Sequence, residues 1–353
     1  MSELEKNIQA QPESLTHALS YQCEAGSAAI QQAAKLLRSA KKVVIAAMGA
    51  SLFASIPLQY FLSSLGVDAV AIEAGELLHY LQGSWKSAVV LMVSRSGESI
   101  EITRLLAMMK GKVPIIGVTN EPLSQLARSA DVSIQLSSLP DQIVAIQTYT
   151  GTLLALHLLG SAVAGRLDAA GDQVRQLLPT FASHTERNVA AIKQWDNFLH
   201  PDSNIYLLGR GPSVASTLEG ALLFHEVAKA PAVAMPIASF RHGPVEVVDA
   251  RFRGFVFAPE DNTRDLNLAM AEDLVRFGGQ TRLIGPSSSL PPSLSVCETP
   301  ALPGTLAPLF EIVPLQVAAL RLAILRGIEP GSFRYAPQVA VDEANFTHKE
   351  KSQ

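Results

Sequence analysis

Residues 88–101 read AVVLMVSRSGESIE. Ala88 to Val93 are six apolar residues, mostly β-branched or long, the run expected of a parallel strand buried on both faces. The chain then turns polar at once through Ser94, Arg95, Ser96, Gly97, Glu98 and Ser99, and Ile100, Leu105, Leu106 and Met109 follow at roughly helical spacing. A polar box therefore sits where a strand feeds a helix. Such a junction offers unpaired backbone N–H groups and the positive end of a helix dipole, which favour a bound phosphate or carboxylate. Three serine hydroxyls, a guanidinium and a small glycine make the box an anion-site candidate. A plainer reading is a solvated turn in which Ser96 caps the helix. Glu98 would repel a phosphate, so its side chain must point away if an anion binds.

Short apolar strands lie on both sides of the box. Leu15, Leu19, Ala28, Ile30, Ala34 and Leu37 predict helix over 14–39, Val43 to Met48 a first strand, and Gly49-Ala50-Ser51 its end, with Ser51 placed to cap a helix running to about Leu65. Further strands are predicted at Val67–Ile72, Val113–Val118 and Val132–Leu136. Strands alternating with helical patterns imply an α/β fold with a parallel, doubly wound sheet, whose ligands sit outside the strand carboxyl ends near the switch point. Both Gly49-Ala50-Ser51 and Ser94 to Ser99 fall at such ends. Ile143 to Gly165 has no formally charged residue and enough length to span a bilayer. It carries Gln147, Thr148, Thr150, Thr152 and His157 and lacks an aromatic belt, so it reads as a buried domain helix.

The second half repeats the first. Arg166 to His200 is a polar helical connector, after which Asn204 to Leu208 opens a strand that ends in Gly209-Arg210-Gly211-Pro212-Ser213. Ser216 to Glu219 fits a capping box. Ser55 precedes His79 by 24 residues and Ser216 precedes His242 by 26 (79 − 55 and 242 − 216), after an Ala-Ser pair in each case. Strands at Gly254–Ala258, Gln280–Ile284 and Leu294–Cys297 and a helix over about Pro308–Leu325 complete a tandem duplication. The expected divisions are a helical segment 1–29, a first domain 30–165, a connector 166–200, a second domain 201–335 and a tail 336–353. Opposite the serine box the second half has Ala258-Pro259-Glu260-Asp261-Asn262, whose adjacent carboxylates would reject phosphate. One anion site per chain is expected.

At 353 residues and 48% hydrophobic, the chain has length for about two domains and material for two cores. A net charge of −4, a pI near 6.1 and the lack of any like-charge block point away from nucleic acid and from anionic membranes. Cys23 and Cys297 form no disulfide framework, which suits a reducing cytoplasm, and the N-terminus has no apolar signal region. The eight histidines show no ligand spacing, so neither a metal nor another cofactor is expected.

Four motifs in order, GAS at 49–51, SRSGES at 94–99, EGALLFHE at 219–226 and RHGP at 241–244, resemble the SIS (sugar isomerase) proteins with two tandem SIS domains. The resemblance covers roughly residues 30–337 and is nearest to the isomerase half of glucosamine-6-phosphate synthase and to its relatives without a glutaminase, among them phosphosugar deaminases and deglycases. It implies two tandem flavodoxin-like domains and a homodimer with a shared active site. Ser51, Ser94, Ser96 and Ser99 would bind the phosphate of a hexose 6-phosphate, with Arg95 where many relatives have glutamine. Val144 and Gln338 would also contact the substrate. Glu226 would be the base moving a proton between C1 and C2, and His242, from the partner subunit, would open or close the sugar ring.

The residues themselves leave plainer readings open. Glu219 and Glu226, seven apart, could line one solvated helix face, His242 before Gly243-Pro244 could cap a turn, and His79 reads as structural. The chain also departs from the synthases: Leu223 and Gln338 stand where they carry lysines, Ile146-Gln147-Thr148 replaces a Ser-Thr-Lys stretch, and Ser239 replaces an acidic residue. The missing lysines, and no amidotransferase domain before residue 30, favour a deglycase or deaminase acting on an amino- or amine-linked hexose 6-phosphate, with aldose–ketose isomerisation close behind. The rival class is a non-catalytic sugar-phosphate sensor. A dinucleotide enzyme is disfavoured because no G-x-G-x-x-G follows the first strand.

Overall fold

The computed structural model describes residues 1–141, 144–288, 290–335, 339–340 and 342–343. In chain order the first elements are α1 (Glu3–Cys23), α2 (Ser27–Ser39), β1 (Val43–Ala47), α3 (Gly49–Ser64), β2 (Ala69–Glu73), α4 (Ala74–His79), β3 (Val89–Val93), α5 (Ile100–Met109), β4 (Ile115–Thr119), α6 (Gln125–Ser129), β5 (Val132–Gln135) and α7 (Gln147–Val163). Then follow α8 (Leu167–Ala190), β6 (Asn204–Gly209), α9 (Val214–Ala228), β7 (Ala232–Pro236), α10 (Ile237–Phe240), β8 (Phe252–Phe257), α11 (Arg264–Arg276), β9 (Gln280–Gly285), β10 (Ser295–Glu298) and α12 (Ala307–Leu325). The chain divides into two compact units, the first of Ser14–Arg175 with Ser332–Gln353 and the second of Met1–Glu13 with Gln176–Gly331.

Each unit holds one parallel five-stranded sheet, ordered β2-β1-β3-β4-β5 and β10-β9-β8-β6-β7. In the first sheet the chain steps from β1 to β2 on one side and then returns to lay β3 on the other. Direction reverses between β1 and β3, and between β6 and β8 in the second sheet. These are the switch points where doubly wound sheets open a crevice. β1, β3 and β4 are buried at every position, as their uniform apolar runs require.

The uncharged stretch is α7, and all its residues from Gln147 to Val163 are buried. Its threonines remain satisfied by bonding back along the helix: the Thr152 hydroxyl donates to the Thr148 carbonyl at 2.7 Å and that of Thr150 to the Gln147 carbonyl at 3.2 Å. α12 is the one helix among the described residues long and apolar enough to cross a membrane, and 83% of that window is buried inside the protein. Gln316 on α12 exchanges hydrogen bonds of 2.8 and 3.1 Å with Gln11, which ties the N-terminal residues into the unit of the second sheet.

Three local expectations change. The helix over 14–39 begins at Glu3 and breaks at Glu24–Gly26, where the Gly26 N–H turns back to the Tyr21 carbonyl at 2.8 Å. β7 was not anticipated, because its AVAMP run at the sheet edge is partly exposed and ends in proline, so neither alternation nor a continuous apolar run marks it. α9 starts at Val214, ahead of the capping box, and Ser216 and Glu219 are buried inside the helix.

Candidate functional site

The serine box lies at the carboxyl end of β3, beside the end of β1, since Ala47 and Val93 are paired in register. The first sheet's crevice is therefore framed by the Gly49–Ser51 turn and by Ser94–Ser99. Gly49 takes φ +50°, which lets α3 start directly after the strand. Met48 occupies the N-cap position, so Ser51 is not a cap but a first-turn residue among the N–H groups that no helix carbonyl reaches. Ser51 is half-buried, and its carbonyl accepts from the Ser55 hydroxyl at 2.7 Å.

The box is a folded turn with a fixed shape. The Gly97 N–H donates to Ser94 Oγ at 3.1 Å, and the Glu98 N–H to Ser96 Oγ at 3.2 Å. The Arg95 carbonyl accepts from the Thr119 hydroxyl and from the Asn120 N–H, both at 3.0 Å, while the Gly97 carbonyl accepts from the Leu126 N–H at 3.2 Å. Gly97 takes φ +63°, and a Cβ there would stand 2.3 Å from Ser124 Oγ. Only glycine fits. The cap of α5 is Ser99 rather than Ser96, and the Ser99 side chain makes no capping bond.

Glu98 turns away from the box. Its Oε1 accepts the Gln125 N–H at 2.6 Å, at the start of α6. The box thus keeps its serine oxygens and backbone amides bonded to one another, and its own carboxylate is engaged at α6. Arg95 is half-buried beside these groups.

Several residues that frame this unit were not singled out from sequence. The Ala340 carbonyl accepts the Ile100 N–H at 3.0 Å, and Glu343 pairs with His79 at 2.9 Å and with Arg104 of α5. Asp141 accepts from the Gln147 and Thr148 N–H groups at 2.8 and 2.9 Å and from the Thr148 hydroxyl at 2.5 Å, which shapes the turn before α7. Burial pushes its carboxyl above the usual range while these bonds pull it down. Val144 lies in the same turn with a buried side chain, so only its backbone is available to a ligand. Gln338 lies outside the described residues.

Glu226 and His242 belong to the other unit. Glu226 is half-buried in the last turns of α9, and the Lys229 ammonium donates to its backbone carbonyl. Glu219 is 1% exposed, which rules out a shared solvated face for the two glutamates. His242 is exposed in the turn after α10, its N–H bonded to the Ser239 carbonyl at 3.1 Å, with Gly243 at φ +124° behind it. Leu223, where the synthases carry lysine, is 1% exposed and packs inward.

At the second sheet's switch point, Gly211 repeats the geometry of Gly49 with φ +53°. There Ser213, the counterpart of Ser51, donates to the buried Glu311 at 2.7 Å. The adjacent carboxylates expected to reject phosphate are engaged locally: Asp261 accepts from the Thr263 N–H at 2.7 Å and Glu260 lies 3.5 Å from Arg264. Among the described residues no group of three or more metal-ligating side chains comes together.

The SIS domain model matches twice, over residues 36–162 and 198–326. The chain belongs to the SIS domain family. Both matches fall on the two sheets and include both switch points. This SIS chain is similar to the glutamine–fructose-6-phosphate aminotransferase of Pyrobaculum aerophilum, 29% identical over 333 residues that cover 92% of the chain and 55% of that protein. It spans about half the length of the curated relatives it matches. In fold it is similar to the C-terminal domain of glucosamine-fructose-6-phosphate aminotransferase from Francisella tularensis (TM-score 0.83, 22% identity, 94% of this chain and 98% of that one). It is similar also to glucosamine-6-phosphate deaminase from Thermotoga maritima (TM-score 0.75, 18% identity, 96% and 99%).

Proposed function

We propose that this SIS protein binds a hexose 6-phosphate through Ser51, Ser94, Arg95, Ser96 and Ser99 and acts at C1 and C2 of an amino- or amine-linked sugar, as a deglycase, deaminase or aldose–ketose isomerase. The observation that carries the reading is the turned-away Glu98: the switch-point crevice keeps its hydroxyls and helix N-terminus while its own carboxylate caps α6. Family membership and the printed activities of the relatives, an aminotransferase described as isomerizing and a deaminase, support the same substrate class.

In this mechanism a phosphate held in the crevice fixes the sugar, and positioning of this kind supplies several kcal/mol of a barrier. Glu226 moves a proton between C1 and C2 through an enediol or enaminol, from C1 to C2 for a fructosamine and from C2 to C1 for glucosamine, and the imine so formed takes up water and releases the amine or ammonia; this is a task for a partly desolvated carboxylate. The exposed imidazole of His242 is suited to complete a neighbouring subunit's site and to move the ring-opening proton. We place the enzyme in the cytoplasm as a homodimer.

Glu226→Gln tests the reading. Incubated with fructosamine 6-phosphates or glucosamine 6-phosphate, the wild type releases amine or ammonia and the variant does not, while both bind the phosphosugar alike; undiminished turnover by the variant removes Glu226 as the base. The inward-packed Leu223 favours a second reading, a non-catalytic sugar-phosphate sensor, because α9 then presents no ammonium at that position. A wild type that binds phosphosugars without turning any over selects that reading.

A further inference from the structure

We propose that Glu311 is a built-in anion of the second unit: from within the chain it fills the switch-point position where the first unit offers its crevice to phosphate, and it positions the turn that starts α9. The comparison with phosphate rests on the functional reading above; the positioning role does not. The two crevices are built alike, each with a positive-φ glycine, Gly49 or Gly211, two residues before a serine, Ser51 or Ser213. In the first unit that serine stands in a half-buried turn. In the second, Ser213 donates to one Glu311 oxygen at 2.7 Å and Ser216 to the other at 2.6 Å. This is a two-point grip on a carboxylate, one hydroxyl per oxygen.

Glu311 is 1% exposed and sits between the buried Phe310 and Ile312 on α12. Its partners are neutral hydroxyls. Arg210, in the turn that carries Ser213, donates to Asn267 at 2.9 Å, and Arg264, at the start of α11, donates to the carbonyls of Pro286 and Ser288, both at 2.8 Å, and of Ala258. Asp261, at the end of β8, is the charged group that bears on Glu311. A carboxylate buried without a counter-ion is expensive, and its persistence needs a return elsewhere in the structure. Here the return is an acceptor for two hydroxyls that hold the head of α9, the helix carrying Glu226, against α12. Burial pushes the carboxyl up to about 7 while the hydroxyls pull it down, so at pH 8 the anion is the main form.

The experiment is anion rescue of Glu311→Ala at pH 8. Its unfolding midpoint is followed against added formate, acetate or inorganic phosphate, with chloride at equal ionic strength as reference. The expected result is a midpoint below wild type that formate raises saturably by roughly 4 °C over chloride. Wild type, and Glu311→Leu, in which the space is refilled, stay unmoved. A formate effect equal to that of chloride, or one shared by Glu311→Leu, overturns the proposal. Should Glu311→Ala fail to fold, Ser213→Ala with Ser216→Ala is compared in wild-type and Glu311→Gln backgrounds: a larger midpoint loss beside glutamate supports the built-in anion, and equal losses refute it. Rescue by formate in a protein that turns over no phosphosugar leaves this inference standing and removes the functional reading instead.

Discussion

Gly97→Ala and Gly49→Ala form a matched pair that separates backbone strain from packing. Both glycines have positive φ, +63° and +50°. An alanine in either place adopts a left-handed conformation at a cost of roughly 1–2 kcal/mol. At Gly49 nothing lies within 4 Å of the added Cβ, so the cost stops there. At Gly97 the Cβ meets Ser124 Oγ at 2.3 Å, Ser124 Cβ at 2.6 Å and Thr119 Oγ1 at 3.1 Å. Ser124 cannot simply swing away, because its Oγ accepts the Ala127 N–H at 3.2 Å as the cap of α6, and the Thr119 hydroxyl holds the Arg95 carbonyl. Overpacking adds about 1–3 kcal/mol and a displaced cap about 1 kcal/mol. Gly97→Ala should therefore cost roughly 3–6 kcal/mol against roughly 1–2 for Gly49→Ala. Urea unfolding followed by circular dichroism measures both, and calorimetry with a hexitol 6-phosphate measures the accompanying loss of binding. Equal destabilisation by the two variants would refute a crevice whose shape is fixed by packing of Ser124 and Thr119 on Gly97.

Two further outcomes follow from the site and from the buried titratable groups. If His242 completes the partner's site, Glu226→Gln and His242→Ala are each inactive alone, and re-association of an equal mixture restores roughly a quarter of wild-type turnover by random pairing; no recovery means both residues serve the same subunit. In the unit of the second sheet, burial raises Glu311 to about 7, so the folded state holds a proton that the unfolded state lacks and stability falls as pH rises from about 4.5 to 7, whereas burial lowers His184 to about 4 and stability falls as pH drops from about 6.5 to 4. The slopes oppose, each near 1 kcal/mol per pH unit, and burial also lowers His157 in the other unit to about 4, so between pH 5 and 6 Glu311→Gln gains stability with rising pH more steeply than wild type by about 1 kcal/mol per pH unit; superimposable curves from urea unfolding remove Glu311 as a titrating group.

The first crevice was legible because its determinants are local. Six apolar residues, an abrupt polar box and a helical repeat describe a buried strand feeding a helix within fourteen consecutive positions, 88–101, and the order of reversal at β1 and β3 follows once the alternation is recognised. An anion at the box requires Glu98 to point away, and the side chain does point away. Its acceptor role at the Gln125 N–H, 27 residues on, was not readable, because nothing in either stretch marks the other. Boundary errors have a similar origin. Ser216 and Glu219 have the residue types and spacing of a capping box, yet α9 begins two residues earlier because the Ser216 hydroxyl is taken by a carboxylate 95 positions away.

That long-range pairing explains why the duplicated halves diverge while the sheet is kept. A crevice lined with serine hydroxyls at a helix head is stable only if something accepts those hydrogen bonds, since buried donors left unpaired are costly. In the first half the corresponding serine keeps access to solvent; Ser51 is half-buried. The other half, covered by α12, has no such access, and Ser213 and Ser216 are fully enclosed. An apolar residue at position 311 would orphan both hydroxyls, and a lysine or arginine would add a cation where two hydroxyls point their protons. A carboxylate is the side chain that accepts from both, and burial sets its cost through the pKa rather than through unfolding. A lone glutamate in the otherwise apolar opening of α12 was the sequence signal for this arrangement, and it becomes interpretable only when the partner serines are known.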